Sequence, residues 1–246
     1  MATDRPAFYA LAPGGWRDLV TVLHPPYTLW HLSYVALGAA AAPHVHGDRL
    51  LAALAAFFLA VGVSAHALDE LHGRPLGTGL PAWLLAGMAA GGLAGALAIG
   101  VIGVVTVSVT LLPLVLAGGC AVLAYNLELF EGRFHTDFWF AAAWGAFPAL
   151  TGWWSNALGV NDAGDLLAGV AVVLACFALS VAQRRLSTPV RELRRATVSV
   201  RGEQRLSGGQ VRELSASTLA APLDGSLRAL SLAMPLLATG VLAVRL

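Results

Sequence analysis

Residues 66–74 crowd His66, Asp69, Glu70, His72 and Arg74 into an otherwise apolar stretch, HALDELHGRPLG. A second group lies in YNLELFEGRFHTD, where Glu128, Glu131, His135 and Asp137 follow Tyr125. A third set is His24, Tyr27, His31 and Tyr34. Imidazole mixed with carboxylate is a donor set for iron, manganese or zinc, whereas magnesium takes oxygen donors. On an ideal helix, Glu128, Glu131 and His135 fall within about 60° of one another if the helix continues through Gly132. His66, Asp69 and Glu70 share one face, and Tyr27, His31 and Tyr34 another. His72 points away from His66 unless the helix unwinds near Gly73–Pro75, which the proline favours. The plain alternative is a wet helix end, with Thr136 and Asp137 capping the next helix. Ionisable groups at a membrane boundary are costly, so their convergence favours a site.

These residues sit on elements that must be membrane helices. The chain is 57% hydrophobic and 12% charged, about half the charge of an ordinary soluble domain. Its mean hydropathy is +0.72. The pattern predicts an all-α polytopic bundle, a single integral membrane domain over 1–246, with about seven spans near 27–43, 49–70, 80–99, 103–128, 137–156, 165–184 and 227–245. The break between the third and fourth is placed in GALAIGVIGVV, where only glycines offer a turn. Residues 1–26 form a cytoplasmic N-terminal segment that lacks a signal-peptide core, with Trp16–Leu23 a short interfacial helix. Residues 185–226 form a basic cytoplasmic connection. Gly87, Gly91 and Gly95 are expected to form a ridge that lets a neighbouring helix approach, and Pro113 and Pro148 to kink helices four and five. Cys120 and Cys176 lie in apolar runs without metal-type spacing and read as packing residues.

Every lysine position is empty; the fixed basic charges are all arginine. With the N-terminus inside, Arg5, Arg17, Arg74, Arg133 and the cluster from Arg184 to Arg212 face the cytoplasm, while Arg49 and Arg245 do not. The positive-inside rule then predicts the cell membrane, N-terminus in and C-terminus out. His66, His72, His31, His135 and the carboxylates come to one cytoplasmic depth. His44 and His46 fall on the other side. A net charge of +1 offers no electrostatic argument for a nucleic-acid partner, and none is expected.

DELHGRPLGTGLP resembles the passage after the first aspartate-rich motif of the UbiA-type prenyltransferase superfamily. AYNLELFEGRFHTDFWFAAAWGAFPALTGWW resembles its fourth-to-fifth helix passage, with Gly145 and Pro148 in a Gly-x-x-Pro pattern. HPPYTLWHLSYVALGAA resembles its first helix, and AQRRLSTPVRELRR stands where its sixth helix ends. The similarity covers roughly residues 20–200. It implies a helical membrane enzyme holding a prenyl diphosphate through Mg²⁺ at the cytoplasmic face. The chain departs from the family pattern. Of the first motif only Asp69 is kept, His66 replaces its first aspartate, the helix-six aspartates are absent, and nine helices are reduced to about seven.

Three functions follow. The first is a metal-dependent membrane enzyme acting on a lipid or isoprenoid, its redox version an oxidoreductase with one or two non-haem iron ions. Its ligands are His31, His66, Asp69, Glu70, His72, Glu128, Glu131 and His135, with Glu70 a ligand or a base. Tyr27, Tyr34 or Tyr125 orient them. Manganese, or zinc in a hydrolase, fits the same donors. The second is a divergent prenyltransferase in which Asp69, Glu70, Glu128 and Glu131 hold Mg²⁺ and Arg74 and Arg133 contact the diphosphate. The third is a non-catalytic metal- or haem-binding subunit.

Overall fold

A computed structural model describes residues 5–246. In chain order the elements are α1 (Trp16–Val22), α2 (Pro25–Ala40), α3 (Gly47–Leu71), α4 (Ala82–Thr106), α5 (Val109–Asn126), α6 (137–157), α7 (Ala163–Ala196), β1 (Gly202–Arg205), β2 (Val211–Leu214) and α8 (Ala216–Arg245). Helices α3, α4, α5, α7 and α8 are long and apolar enough to cross a membrane. The chain is therefore a helical membrane bundle. The other two expected spans correspond to α2 and α6, which the surrounding helices enclose. Trp30, Tyr34 and Val35 of α2 and Ala149 of α6 are fully buried. At about 1.5 Å per residue α2 rises about 24 Å, short of a hydrocarbon core of about 30 Å.

Local chemistry sets the helix ends. Pro25 and Pro26 open α2, where the first turn needs no N–H partner. The Thr136 hydroxyl accepts from Trp139 N at 3.3 Å and caps α6, as its sequence suggests. Asp162 caps α7, and Ser215 with Thr218 forms a capping box on α8.

Several sequence expectations shift. The break between α4 and α5 falls at 107–108, not in the glycine run. The helix passes through Gly95, Gly100 and Gly103, because backbone groups in an apolar setting must pair within the helix. Ser108 then accepts from Thr110 N and starts the next turn. Pro113 lies in the first turn of the α-helical part of α5, and Pro148 directly follows a π turn at Ala142–Ala146, so neither interrupts a regular helix interior. The presumed connection 185–226 is mostly helix. Helix α7 runs on to Ala196 and α8 begins at Ala216, leaving 197–215. Within it, β1 and β2 pair antiparallel, Gly202 opposite Leu214 and Arg205 opposite Val211. Hydropathy marks where a membrane ends, whereas a helix ends where its caps are.

Of the expected ridge only Gly95 meets a neighbour, its Cβ position lying 3.0 Å from Leu59 Cδ1. The face of α4 that packs is Leu85, Ala89 and Gly92. A Cβ at Gly92 would lie 2.7 Å from Leu59 O, whereas Gly87 and Gly91 have nothing within 4 Å. The closest helix approach is between α2 and α6. A Cβ at Gly38 would lie 2.0 Å from Ala149 O, and one at Gly152 would lie 2.1 Å from Val35 O. Cys176 packs in the core with Trp30 and Tyr34, while Cys120 is exposed.

The loops gather at two ends. At one end Asp18 joins the 72–81 loop through Gly79 N (3.0 Å), Arg194 donates to Arg5 O (2.8 Å), and Arg184 pairs with Asp137 (2.8 Å). At the other, His46 N donates to Asn156 Oδ1 (2.8 Å) and Arg245 donates to Ala42 O (2.6 Å).

Candidate functional site

A cavity of about 270 Å³ opens at the arginine-rich end of the bundle. Helix α3 lends it His66 and Asp69, and His72 follows just past the helix end. Tyr125 comes from the end of α5, Glu128 and His135 from the loop that follows. Helix α7 supplies Gln183, Arg184, Arg191 and Arg195, and α8 supplies Asp224. Residues 6–9 form part of its lining. Val61 and Trp144 form part of its apolar floor. On their other side a second cavity of about 150 Å³, walled by Phe57, Leu93, Leu97 and Val122, shares those two residues.

Helix ends decide which expected residues reach this space. Helix α3 contains a π turn at Phe58–Ala65 and stops at Leu71. Gly73 (φ 88°) and Arg74 (φ 52°) then turn the chain, and His72 swings to the cavity, as the Gly73–Pro75 sequence suggests. Asp69 and Glu70 are about 100° apart on the helix, and the cavity takes the Asp69 side. Glu70 is fully buried on the other flank. Its carboxylate accepts from Leu76 N (2.9 Å), Thr78 N (2.8 Å) and Thr78 Oγ1 (2.8 Å). Arg74 donates to Thr78 O (3.0 Å) and Leu80 O (2.6 Å). Both residues build the loop that returns to α4.

Helix α5 stops at Asn126 and does not continue through Gly132. Glu128, Phe130, Glu131 and Gly132 all have positive φ. This irregular loop keeps Glu128 at the cavity and leaves Glu131 and Arg133 exposed outside it. His31 is buried deeper, donating from Nδ1 to Trp144 O at 2.7 Å. Tyr34 accepts from Trp30 Nε1 (2.5 Å) and lies outside the lining, while Tyr27 is part of it. Thus His66, Asp69, His72, Glu128, His135 and Tyr125 come together, whereas His31, Glu70, Glu131, Arg74 and Arg133 lie elsewhere.

His135 stacks on Tyr125 with ring centroids 4.5 Å apart. Its Nδ1 lies 3.3 Å from Tyr125 O and 3.8 Å from Glu128 Oε1. A proton on Nδ1 donates to Tyr125 O and leaves Nε2 with its lone pair. His24 stacks on His66 at 4.0 Å and receives the Tyr9 hydroxyl at 2.7 Å. Burial, with the neighbouring His66, holds His24 well below the ordinary histidine range. Burial, with Tyr27 beside it, pushes the Tyr9 phenol up. Among the described residues no three His, Cys, Asp or Glu side chains gather closely enough to hold a metal ion.

In the sequence the arginine run reads as topological charge or as a segment lying on an anionic membrane surface. Arg184, Arg191 and Arg195 stand at i, i+7 and i+11, within about 40° of one another. The spacing is visible in the sequence, but it matters only if the helix continues past residue 184, which hydropathy does not reveal. No family model, curated protein or solved structure matches this chain.

Proposed function

We propose that the chain is an integral membrane enzyme acting on a lipid or isoprenoid whose phosphate-bearing head group enters the polar cavity. The observation that carries this reading is the arginine face of α7. Arg184 is paired with Asp137, but Arg191 and Arg195 have no carboxylate within ion-pair distance among the described residues. Their nearest polar partners are Thr188 Oγ1 (3.2 Å) and Pro6 O (3.4 Å). Guanidinium groups presented to a cavity suit phosphate oxygens. The adjoining apolar cavity behind Val61 and Trp144 suits the tail. His135, held by the hydrogen bond from Nδ1 to Tyr125 O, is the acid–base group, with the Nε2 lone pair as its proton acceptor. By the positive-inside rule this end faces the cytoplasm of the cell membrane, N-terminus in and C-terminus out.

The UbiA-type resemblance accords with the same reading, since two of the four passages that carry it include Asp69 and the Glu128–His135 loop, which line the cavity. A prenyltransferase using a prenyl diphosphate and Mg²⁺ is its specific form. The metal-dependent redox form rests on His66, Asp69, His72, Glu128 and His135 lining one space. In the arrangement observed these side chains do not converge on an ion, so this form requires them to draw together. Metal analysis of the purified protein, compared with its His66→Ala variant, tests that form.

The head-group reading is tested by comparing farnesyl phosphate and farnesyl diphosphate with farnesol by thermal shift in detergent. The phosphorylated compounds should stabilise the protein and the alcohol should not. Arg191→Gln should weaken phosphate binding about tenfold, the value of one charge-assisted hydrogen bond at the low end of its range. Equal stabilisation by alcohol and phosphates overturns the reading.

A further inference from the structure

The cavity carries more than positive charge. Asp69 lines it and makes no hydrogen bond or ion pair among the described residues. Two further acceptors in the lining are buried without a donor among the described residues: Gln183 Oε1, in a residue 2% exposed, and Asp224 Oδ1, in a residue 7% exposed whose Oδ2 is ion-paired with Arg194. A phosphate satisfies Arg191 and Arg195 but brings no hydrogen to these oxygens. Buried acceptors left unpaired are expensive, and native proteins rarely keep them. A ligand that complements the whole cavity therefore carries both anionic oxygens and positively charged N–H donors. A primary ammonium supplies three donors and the charge that Asp69 lacks. A quaternary ammonium supplies only the charge.

We propose that the head group held here is zwitterionic, a phosphate joined by a short linker to a primary ammonium, as in an aminophospholipid. The inference rests on the reading of the cavity as a phosphate site and adds the ammonium. The expected arrangement has the phosphate on Arg191 and Arg195 and the ammonium among Asp69, Gln183 and Asp224.

The test is native mass spectrometry of the full, delipidated chain offered equimolar phosphatidylethanolamine, phosphatidylcholine and phosphatidylglycerol with identical acyl chains. Phosphatidylethanolamine should be retained over phosphatidylglycerol by about tenfold, with phosphatidylcholine well below it. Asp69→Asn should bring phosphatidylethanolamine down to the phosphatidylglycerol level. Gln183→Leu should lower it in the same direction, and Arg191→Gln should weaken all three lipids. Matching elution profiles of the variants establish that they fold. Equal retention of phosphatidylethanolamine and phosphatidylglycerol, both weakened by Arg191→Gln, overturns the ammonium and leaves the phosphate reading standing. Retention insensitive to Arg191→Gln overturns both. A preference for phosphatidylethanolamine that vanishes with chelator assigns Asp69 to a divalent cation and overturns the proposal.

Discussion

Asp69 and Glu70 are neighbours with the same functional group and opposite employment. Glu70 accepts three hydrogen bonds that shape the 72–80 loop, and Asp69 faces the cavity with none. Glu70→Ala removes the acceptor for two buried backbone N–H groups and a hydroxyl, at about 1–3 kcal/mol for each donor left buried and unpaired. A clear drop in melting temperature in detergent is expected. Asp69→Asn and Glu131→Ala should melt like the parent, because neither Asp69 nor the exposed Glu131 holds a hydrogen bond or ion pair. A Glu70→Ala protein as stable as the parent would show that the loop does not depend on this carboxylate. The sequence made both acids visible as polar residues at a helix end. It could not divide their roles, because a separation of about 100° on one helix acquires meaning only from what packs on each side.

Among the elements, the pair α2 and α6 depends on small residues more than the expected glycine ridge on α4 does. The carbonyls of Val35 and Ala149 occupy the space where side chains at Gly152 and Gly38 would begin. Even alanine there forces two central helices apart. Gly38→Ala and Gly152→Ala should abolish the monodisperse peak on size exclusion, whereas Gly87→Ala and Gly91→Ala, with open space around them, should elute unchanged. Normal elution of Gly38→Ala would mean that the two helices separate cheaply. Regular glycine spacing drew the sequence reading to α4. Spacing of four marks one helix face, but it does not say whether that face meets protein or lipid. Single glycines such as Gly38 and Gly152 carry no pattern, and their role emerges only from the approach of two backbones. The reverse holds for α7, whose arginine stripe had a readable spacing but lay beyond the apparent end of the membrane span.

For the whole molecule, composition and hydropathy were enough to identify a helical membrane bundle and to collect most of the cavity at one end. The charge pattern and the structure agree on what lies with what. Residues 6–9, the 72–81 and 127–136 loops and the arginines of α7 share one end, and Arg245 reaches Ala42 at the other. Which end faces the cytoplasm decides whether the head group is taken from the inner or the outer leaflet. Single cysteines at exposed positions report it, in a background with Cys120 and Cys176 replaced by alanine. Ser207, in the turn between β1 and β2, and His44, after α2, are both exposed and lie at opposite ends. With the arginine-rich end inside, His44→Cys should react with a membrane-impermeant maleimide on intact cells, and Ser207→Cys only after lysis. The reverse pattern would place about a dozen arginines against the positive-inside rule. It would also open the cavity to the outer leaflet, where the lipids offered as head-group donors differ.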